Sequence, residues 1–244
     1  MSVYRKELRI LSSDVDMHRR LRLSVLFSLM QEAAIAHTEQ LGMGRAVTLD
    51  RGILWVVTLQ SAQIERMPEY DERVVLRSWP GRTMHVLFPR YCAMDTEAGE
   101  PLMRASALWT LLDARTRRLV FPEKCGVSIE GAVTGDEIAL PSAPRPAVCT
   151  EERDFTVPFS FVDLNGHMNN TRYFDLAEDC IPPAAGGGRL TAVSTEFSRE
   201  VRFGERLPLR WGRDGDRWYF AGGAGEKPMF RMSLTYQYGS EQRP

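Results

Sequence analysis

Three polar side chains, Asp163, Asn165 and His167, stand at alternate positions just before a segment with helical periodicity. If the backbone is extended there, alternate side chains share one face, so the three groups would point to the same side. A histidine titrates near neutral pH, an asparagine amide can donate to a developing oxyanion, and an aspartate can orient either group. The trio therefore indicates hydrolysis of an acyl bond. Judged by spacing alone, a turn followed by a helix cap is the commoner explanation.

The composition is that of an ordinary globular protein. Hydrophobic residues make up 43% of 244 positions and the formal net charge is -1, which argues against binding to nucleic acid. The four cysteines form no CxxC pair and have no close histidine partners, so we expect no metal site. No apolar run approaches the roughly 18 residues that cross a bilayer, and the first ten residues lack a signal-peptide core. We therefore expect a cytoplasmic location and no membrane partner.

The chain resembles itself over its two halves. Three pairs of segments match in the same order, with an offset that falls from 147 to 127 as the loops of the second half shorten. This ordered series indicates a duplicated unit. The pairs are 26–32 with 173–179, 72–77 with 205–210, and 101–109 with 228–236.

Each half begins with a helix and continues with strands. Apolar residues between Leu23 and Leu41 recur at helical spacing, and a second helix is expected from about Asn170 to Ile181. The segments that follow are rich in β-branched and aromatic residues separated by turn-forming clusters, which is typical of antiparallel strands. The predicted strands are 53–60, 73–79, 85–94 and 103–113 in the first half, and 190–198, 206–212, 216–221 and 229–238 in the second.

These elements predict an α+β protein with two tandem units, in each of which an antiparallel sheet wraps a helix. Residues 131–149 are rich in Pro, Ala and Gly and have no periodicity, as expected of a connector. We therefore place the first unit at 1–130, a linker at 131–152 and the second unit at 153–244.

Three segments carry a resemblance to a known family. LMQEAAIAH at 29–37, ILWVVT at 53–58 and DLNGHMNNTRY at 163–173 together resemble the acyl-acyl-carrier-protein thioesterases, the double hotdog enzymes of plants and bacteria that end fatty-acid synthesis. The resemblance extends over about residues 4–238 and is most specific in the third segment. It implies hydrolysis of fatty acyl-acyl-carrier protein to free fatty acid. The implied partner is the carrier with its phosphopantetheine-linked acyl chain, and no cofactor is implied.

The resemblance also implies roles for individual residues. Asn165 and His167 would be catalytic, and Asp163 would support them. The segment TEFSREVRFG resembles the one that carries a further catalytic glutamate in the family, which places it at Glu200. Plant members often have a cysteine after this glutamate, whereas this chain has Val201, so a thiol nucleophile at that position is excluded.

The internal repeat distinguishes the second unit from the first. Of the four candidate residues, only the aspartate has an identical counterpart in the first unit. We therefore expect one active site per chain, carried by the second unit, with a non-catalytic first unit that supplies pocket wall. The retained aspartate also predicts a partly structural role for Asp163, bonding backbone N–H groups at the turn. The pairs are Asp163 with Asp16, Asn165 with His18, His167 with Arg20, and Glu200 with Met67.

The chemistry expected of these residues is attack by an activated water, because no nucleophile stands near the motif. Glu200 and His167 would hold and deprotonate the water, and Asn165 would donate to the thioester oxygen. A covalent anhydride formed through Glu200 stays open as an alternative.

Binding of the substrate divides into its acyl and carrier parts. Leu26, Met30 and Ala33 on the first helix, with Trp55 on the next strand, are candidate walls of an acyl tunnel, and ordinary core packing is the alternative. Basic clusters near 18–22 and 115–118 could form a rim for an acidic carrier, or they could be solvated surface.

Two other functions compete with this interpretation. An acyl-coenzyme A thioesterase shares the fold and the reaction, and a non-catalytic acyl-binding hotdog protein shares the fold alone. Since the paired units are already fused within one chain, we expect a monomer or a homodimer.

Overall fold

A computed structural model provides the structure of the chain. Two compact units divide it: the first comprises Met1–Arg22 and Leu26–Pro141, and the second comprises Leu23–Val25 and Ser142–Pro244. The boundary at residue 141 falls inside the segment that the sequence assigns to the linker. No helix in the described part of the chain is long and apolar enough to cross a bilayer. The described residues are 3–132, 134, 136–181, 188–223 and 227–239.

The first unit contains one long helix and a five-stranded antiparallel sheet in the order β1-β3-β4-β5-β2. The longest strands, β2 and β5, pair over most of their length and bury alternating or continuous runs of apolar side chains. The elements are β1 (Tyr4–Arg9), α1 (Leu23–Gln40), α2 (Arg45–Asp50), β2 (Ile53–Ile64), β3 (Arg73–Pro80), β4 (Phe88–Thr96), β5 (Pro101–Asp113) and α3 (Pro122–Cys125).

The second unit has the same connectivity, with strands in the order β6-β8-β9-β10-β7. In each unit the strand before the helix is at one edge, and the first strand after the helix is at the other end of the series. This equivalence confirms the predicted duplication and the α+β fold. The elements are β6 (Glu151–Thr156), α4 (Arg172–Cys180), β7 (Arg189–Phe197), β8 (Arg206–Asp214), β9 (Arg217–Gly222) and β10 (Phe230–Gln237).

An aromatic cluster attaches helix α4 to its sheet. The Tyr173 ring lies 5.4 Å from that of Phe197 on β7 and 4.5 Å from that of Phe230 on β10, measured between centroids. Phe220 on β9 continues the cluster at 5.5 Å from Phe230. Each buried ring of this size contributes about 1.5–3 kcal/mol through removal of apolar surface from water. The cluster therefore fixes the start of α4, the point at which the polar motif ends.

The eight strands predicted from hydrophobic patterning are confirmed to within a few residues. The sequence did not predict the edge strands β1 and β6, nor the short helices α2 and α3. YRKELR and EERDFT are short, charged and mostly exposed, because an edge strand has a neighbour on one side only. They are strands because they form backbone hydrogen bonds with β3 and β8. Such pairing does not require a hydrophobic pattern in the edge strand itself.

The irregular segment after the first unit's sheet is held down by polar contacts. Asp136 pairs with Arg77 at 2.8 Å, and the same guanidinium reaches Asp95 at 3.1 Å. The Ser106 hydroxyl donates to the Ala139 carbonyl at 2.7 Å. The segment has no regular secondary structure, and these contacts hold it against β3 and β5. Arg77 contributes most directly, because its guanidinium binds two carboxylates at once.

A buried histidine links α1 to β4 in the first unit. His37 is fully buried, and its Nδ1 lies 2.9 Å from Nη1 of Arg90, whose other terminal nitrogen donates to the Thr38 hydroxyl at 2.8 Å. Arginine can only donate, so Nδ1 accepts and the imidazole is neutral. Burial, and secondly the charge of Arg90, lower the pKa of His37 from 6.5 to about 4. Burial also lowers the pKa of Arg90 to about 10, which leaves it charged at neutral pH.

This arrangement predicts a loss of stability in mild acid. Above pH 6.5 neither the folded nor the unfolded chain protonates His37. As the pH falls from 6.5 towards 4, the unfolded chain takes up a proton that the folded chain resists. The free energy of unfolding should therefore fall by up to about 3 kcal/mol over this window.

Denaturant titrations from pH 7 to pH 4 measure this effect. The variant His37→Gln keeps an oxygen acceptor for Arg90 but does not titrate, so its stability should depend less on pH than that of the wild type. Parallel curves for the two proteins, or a His37 ring that NMR shows protonated in the folded protein at pH 5.5, would contradict the assignment.

Candidate active site

The polar motif forms a tight turn. The Asp163 N–H donates to the His167 carbonyl at 2.9 Å, and the Gly166 N–H donates to the Asp163 carbonyl at 3.0 Å. Gly166 has a φ of +80°, a left-handed conformation that glycine adopts without a steric penalty. The backbone is therefore a turn rather than a strand, so the condition under which alternate side chains share one face is not met. The turn itself brings the side chains of Asp163 and Asn165 together.

The carboxylate of Asp163 organises this turn. One oxygen accepts from the backbone N–H of Asn165 at 2.8 Å, and the other lies 3.4 Å from the Asn165 side-chain nitrogen. The first contact is the structural role that the retained aspartate predicts. The second orients the amide with its nitrogen towards Asp163, and Asn165 itself is exposed at the tip.

Backbone contacts bring the glutamate loop alongside the turn. The Met168 N–H donates to the Val201 carbonyl at 2.7 Å, and His167 forms an isolated bridge with Arg202. As a result His167 Nε2 lies 3.0 Å from Glu200 Oε2, within hydrogen-bonding distance. The His167 side chain is 12% exposed and that of Glu200 is 32% exposed, so the pair is shielded but reachable from solvent. The structure thus joins two residues that are 33 positions apart in the sequence.

Two further residues support the pair, and neither was among the predicted site residues. Glu205 accepts from the Arg202 N–H at 3.0 Å, and its own N–H donates to the Arg202 carbonyl at 3.1 Å, which closes the loop after Glu200. Burial raises the pKa of Tyr173, and the charges of Glu205, Glu200 and Asp163 raise it further. Its hydroxyl is therefore neutral and close to three carboxylates. The repeat held a signal for Glu205, because Glu72 occupies the aligned position.

The first unit builds the same turn without the same chemistry. The Asp16 N–H donates to the Arg20 carbonyl at 2.8 Å, and the Asp16 carboxylate accepts from the His18 N–H at 2.8 Å. The adjacent loop is also attached in the same way, since the Leu21 N–H donates to the Pro68 carbonyl at 2.8 Å. However, the Arg20 side chain pairs with Asp16 at 3.2 Å, where the second unit has an imidazole facing a glutamate.

The candidate tunnel residues are mostly buried. Leu26, Met30 and Ala33 lie on the buried stripe of α1. Trp55 is partly buried, packs edge-on against Phe88 and donates from its indole nitrogen to the Met43 carbonyl at 3.2 Å. Their role as acyl-binding residues stays a prediction.

The cysteine chemistry agrees with a site that lacks a thiol nucleophile. Val201, next to Glu200, is fully buried. Burial raises the pKa of Cys180 on α4, and it raises the pKa of Cys92 on β4 to about 12, so both remain protonated thiols. Among the described residues, no group of three or more His, Cys, Asp or Glu side chains could hold a metal ion.

Solved structures share this architecture over nearly the whole chain. An acyl-ACP thioesterase from Bacteroides thetaiotaomicron matches with a TM-score of 0.79 and 18% identity, covering 96% of this chain and 98% of its own. A 12:0-ACP thioesterase from Umbellularia californica matches with a TM-score of 0.80 and 22% identity, covering 96% and 97%. These matches identify the fold as a double hotdog.

Sequence comparison identifies the family. Residues 1–124 match the Acyl-ACP thioesterase N-terminal domain, and residues 146–217 match the Acyl-ACP thioesterase C-terminal domain. The chain therefore belongs to the acyl-ACP thioesterase family, as its motifs predicted.

Curated plant relatives extend this comparison. A chloroplastic acyl-[acyl-carrier-protein] hydrolase of Cuphea viscosissima is 24% identical over 214 residues, and a chloroplastic dodecanoyl-[acyl-carrier-protein] hydrolase of Cinnamomum camphora is 27% identical over 218. Each alignment covers 81% of this chain but only 52% and 56% of the respective relative. The chain thus spans about half the length of these relatives.

The shared turn predicts matched losses of stability in the two units. Asp163→Ala removes a charged acceptor from the Asn165 N–H, and Asp16→Ala removes one from the N–H groups of His18 and Arg20. Each change should lower the free energy of unfolding by about 1–3 kcal/mol, and the loss should be at least as large for Asp16→Ala. Asp163→Asn keeps an acceptor oxygen and should lose less. Chemical denaturation of the three variants measures this order, and an Asp163→Ala protein as stable as wild type would contradict the role assigned to the carboxylate.

Proposed function

We propose that this protein hydrolyses the thioester of fatty acyl-acyl-carrier protein and releases a free fatty acid, the step that ends fatty-acid synthesis. One observation carries the proposal: in a member of this family, His167 Nε2 lies 3.0 Å from Glu200 Oε2, and Asp163 orients the amide of Asn165 two residues before His167. In the first unit Arg20 and Met67 stand at the positions of His167 and Glu200, so the turn forms without this pair.

The reaction needs a base, a proton donor and an oxyanion donor. Glu200 and His167 together take a proton from a water, whose oxygen then adds to the thioester carbonyl carbon. Asn165 Nδ2 has two hydrogens: one is directed towards Asp163, and the other donates to the carbonyl oxygen as negative charge develops there. When the carbon–sulfur bond breaks, the proton held by the pair passes to the departing thiolate. The products are a fatty acid and the free thiol of the carrier.

The buried cysteines favour water over a thiol as the nucleophile. Direct attack by Glu200 to form an anhydride uses the same residues. The contact with His167 favours water activation, because the imidazole gives the carboxylate an acid–base partner through which the water's proton can pass. Asp163 acts as a positioning residue for Asn165.

The acyl chain, the carrier, the cellular location and the oligomeric state of this protein stay predictions. The relatives are named for dodecanoyl and palmitoyl substrates, and those names describe the relatives. For this chain we propose an acyl carrier protein as the partner and a fatty acyl chain as the group released. The cytoplasmic location and the choice between monomer and homodimer are predictions of the sequence.

Substitutions in the second-unit turn should abolish hydrolysis without unfolding the protein. Asn165→Ala and His167→Ala should each lower kcat by about a hundredfold or more, because an oxyanion donor or the acid–base partner is lost. His18→Ala is a matched control, since it removes the exposed side chain aligned with Asn165 and leaves the backbone N–H bond to Asp16 in place. Release of free thiol from acyl-carrier protein measures the rate, and near wild-type rates in folded Asn165 and His167 variants would refute the assignment.

The identity of the leaving group is tested with one acyl chain on two carriers. Hydrolysis of acyl-carrier protein should have a kcat/KM at least about tenfold above that of the same acyl group on coenzyme A, because a protein carrier adds contacts that a nucleotide does not. Equal or reversed values would favour an acyl-coenzyme A thioesterase. Tight binding of either thioester without turnover would favour the non-catalytic alternative.

A further inference from the structure

Three large apolar side chains are exposed on the loops that form the active site. Phe159 is 79% exposed, Leu164 is 77% exposed and Phe203 is 63% exposed. Single exposed apolar residues are common on protein surfaces, but a group of them beside a reactive centre is typical of an interaction site.

The geometry places this group directly beside the catalytic pair. The rings of Phe159 and Phe203 meet edge to face, with centroids 6.0 Å apart. Leu164 lies between Asp163 and Asn165 at the tip of the motif turn, and Phe203 is three residues after Glu200. The two loops are in register through the bridge between His167 and Arg202.

Positive charge borders the apolar group. Arg199 and Arg202 are exposed on either side of Glu200. The nearby carboxylates face inward: Asp163 accepts from Asn165, and Glu205 accepts from the backbone of Arg202. The outward surface is therefore apolar and cationic. We call it the loop-tip surface, formed by Phe159, Leu164, Arg199, Arg202 and Phe203.

The first unit has no equivalent of the aromatic pair, although Met17, which aligns with Leu164, is also exposed there. Phe159 aligns with Ser12 and Phe203 with Tyr70, whose ring is covered by the Arg19 guanidinium at 5.7 Å. Arg20 there is paired with Asp16, within the cluster at 18–22 that the sequence offered as a carrier rim. The exposed aromatic pair belongs to the catalytic unit, which indicates a role connected with the reaction.

We propose that the loop-tip surface docks the acyl carrier protein, and this inference rests on the proposed function. An acidic carrier presents negative charge, which complements Arg199 and Arg202, while an apolar patch on the carrier would cover Phe159 and Phe203. Docking there sets the carrier beside the loops that hold His167 and Glu200, so the thioester on its flexible arm reaches the catalytic pair.

The test separates docking from chemistry by comparing two substrates with the same acyl group. The double variant Phe159→Ser/Phe203→Ser should lower kcat/KM for acyl-carrier protein by about tenfold or more. Its kcat/KM for acyl-pantetheine, which has no carrier to dock, should stay within about twofold of wild type. The control Met17→Ser/Tyr70→Ser removes two exposed side chains of the first unit, which align with Leu164 and Phe203, and should leave both values unchanged.

A charge variant gives an independent readout. Added salt should lower kcat/KM of the wild type for acyl-carrier protein, because it screens attraction between the surfaces. Arg199→Glu should lower kcat/KM at low salt and weaken this salt dependence. An unchanged salt dependence would overturn the assignment of positive charge to docking.

Other outcomes are equally informative. An equal loss on both substrates, or no loss on either, would overturn the docking surface. If the double variant keeps its carrier kinetics but loses binding to vesicles of anionic phospholipid, the surface binds lipid and the inference is wrong. If the wild type hydrolyses neither substrate, the proposed function fails. Titration of carrier protein against wild type and double variant then tests docking alone, with about tenfold weaker binding expected of the variant.

Discussion

The contact between the motif turn and the loop after β7 is the constraint on which the site depends. The hydrogen bonds that form the turn from Asp163 to His167, including those of the Asp163 carboxylate, are all made within these five residues. The Met168 N–H bond to Val201 then attaches that turn to a distant segment. The imidazole of His167 faces Glu200 because both sets of contacts are present. Any change that displaces either loop would separate the pair even if both side chains were retained.

The duplicated unit separates scaffold from chemistry within one chain. Both units close the turn with an aspartate, and both attach the neighbouring loop with a backbone bond of about the same length. What differs is the side chains that project from this frame. In the first unit an arginine folds back onto the aspartate, which satisfies both charges and leaves no acid–base pair. The turn therefore accounts for the aspartate, whereas Asn165, His167 and Glu200 have no identical counterpart in the first unit.

The residues around His167 and Glu200 shield the two side chains from most of the solvent but leave them partly exposed. Tyr173 lies in the aromatic cluster that seats α4, and its hydroxyl stays neutral because burial and three nearby carboxylates oppose ionisation. The buried thiols of Cys92 and Cys180 are likewise kept protonated by their apolar surroundings. Within the described loops, the imidazole of His167 and the carboxylate of Glu200 therefore form an acid–base pair in direct contact. Phe159, Phe203, Arg199 and Arg202, on the same loops, are instead exposed to solvent.

The sequence by itself determined the α+β duplication, the eight central strands and the identity of the polar motif, because hydrophobic periodicity and self-similarity are local properties of the chain. Recognition of the family added Glu200, which spacing alone could not supply. The tertiary structure decided that the motif is a turn, that Glu205 closes the neighbouring loop, and that Phe159 and Phe203 meet in solvent. The edge strands β1 and β6 also emerged only in three dimensions. The aromatic contact and the edge strands depend on pairings between residues distant in the chain, which leave no periodic signal in the sequence. The turn and the Glu205 loop are local, but their hydrogen bonds follow neither the helical nor the strand period.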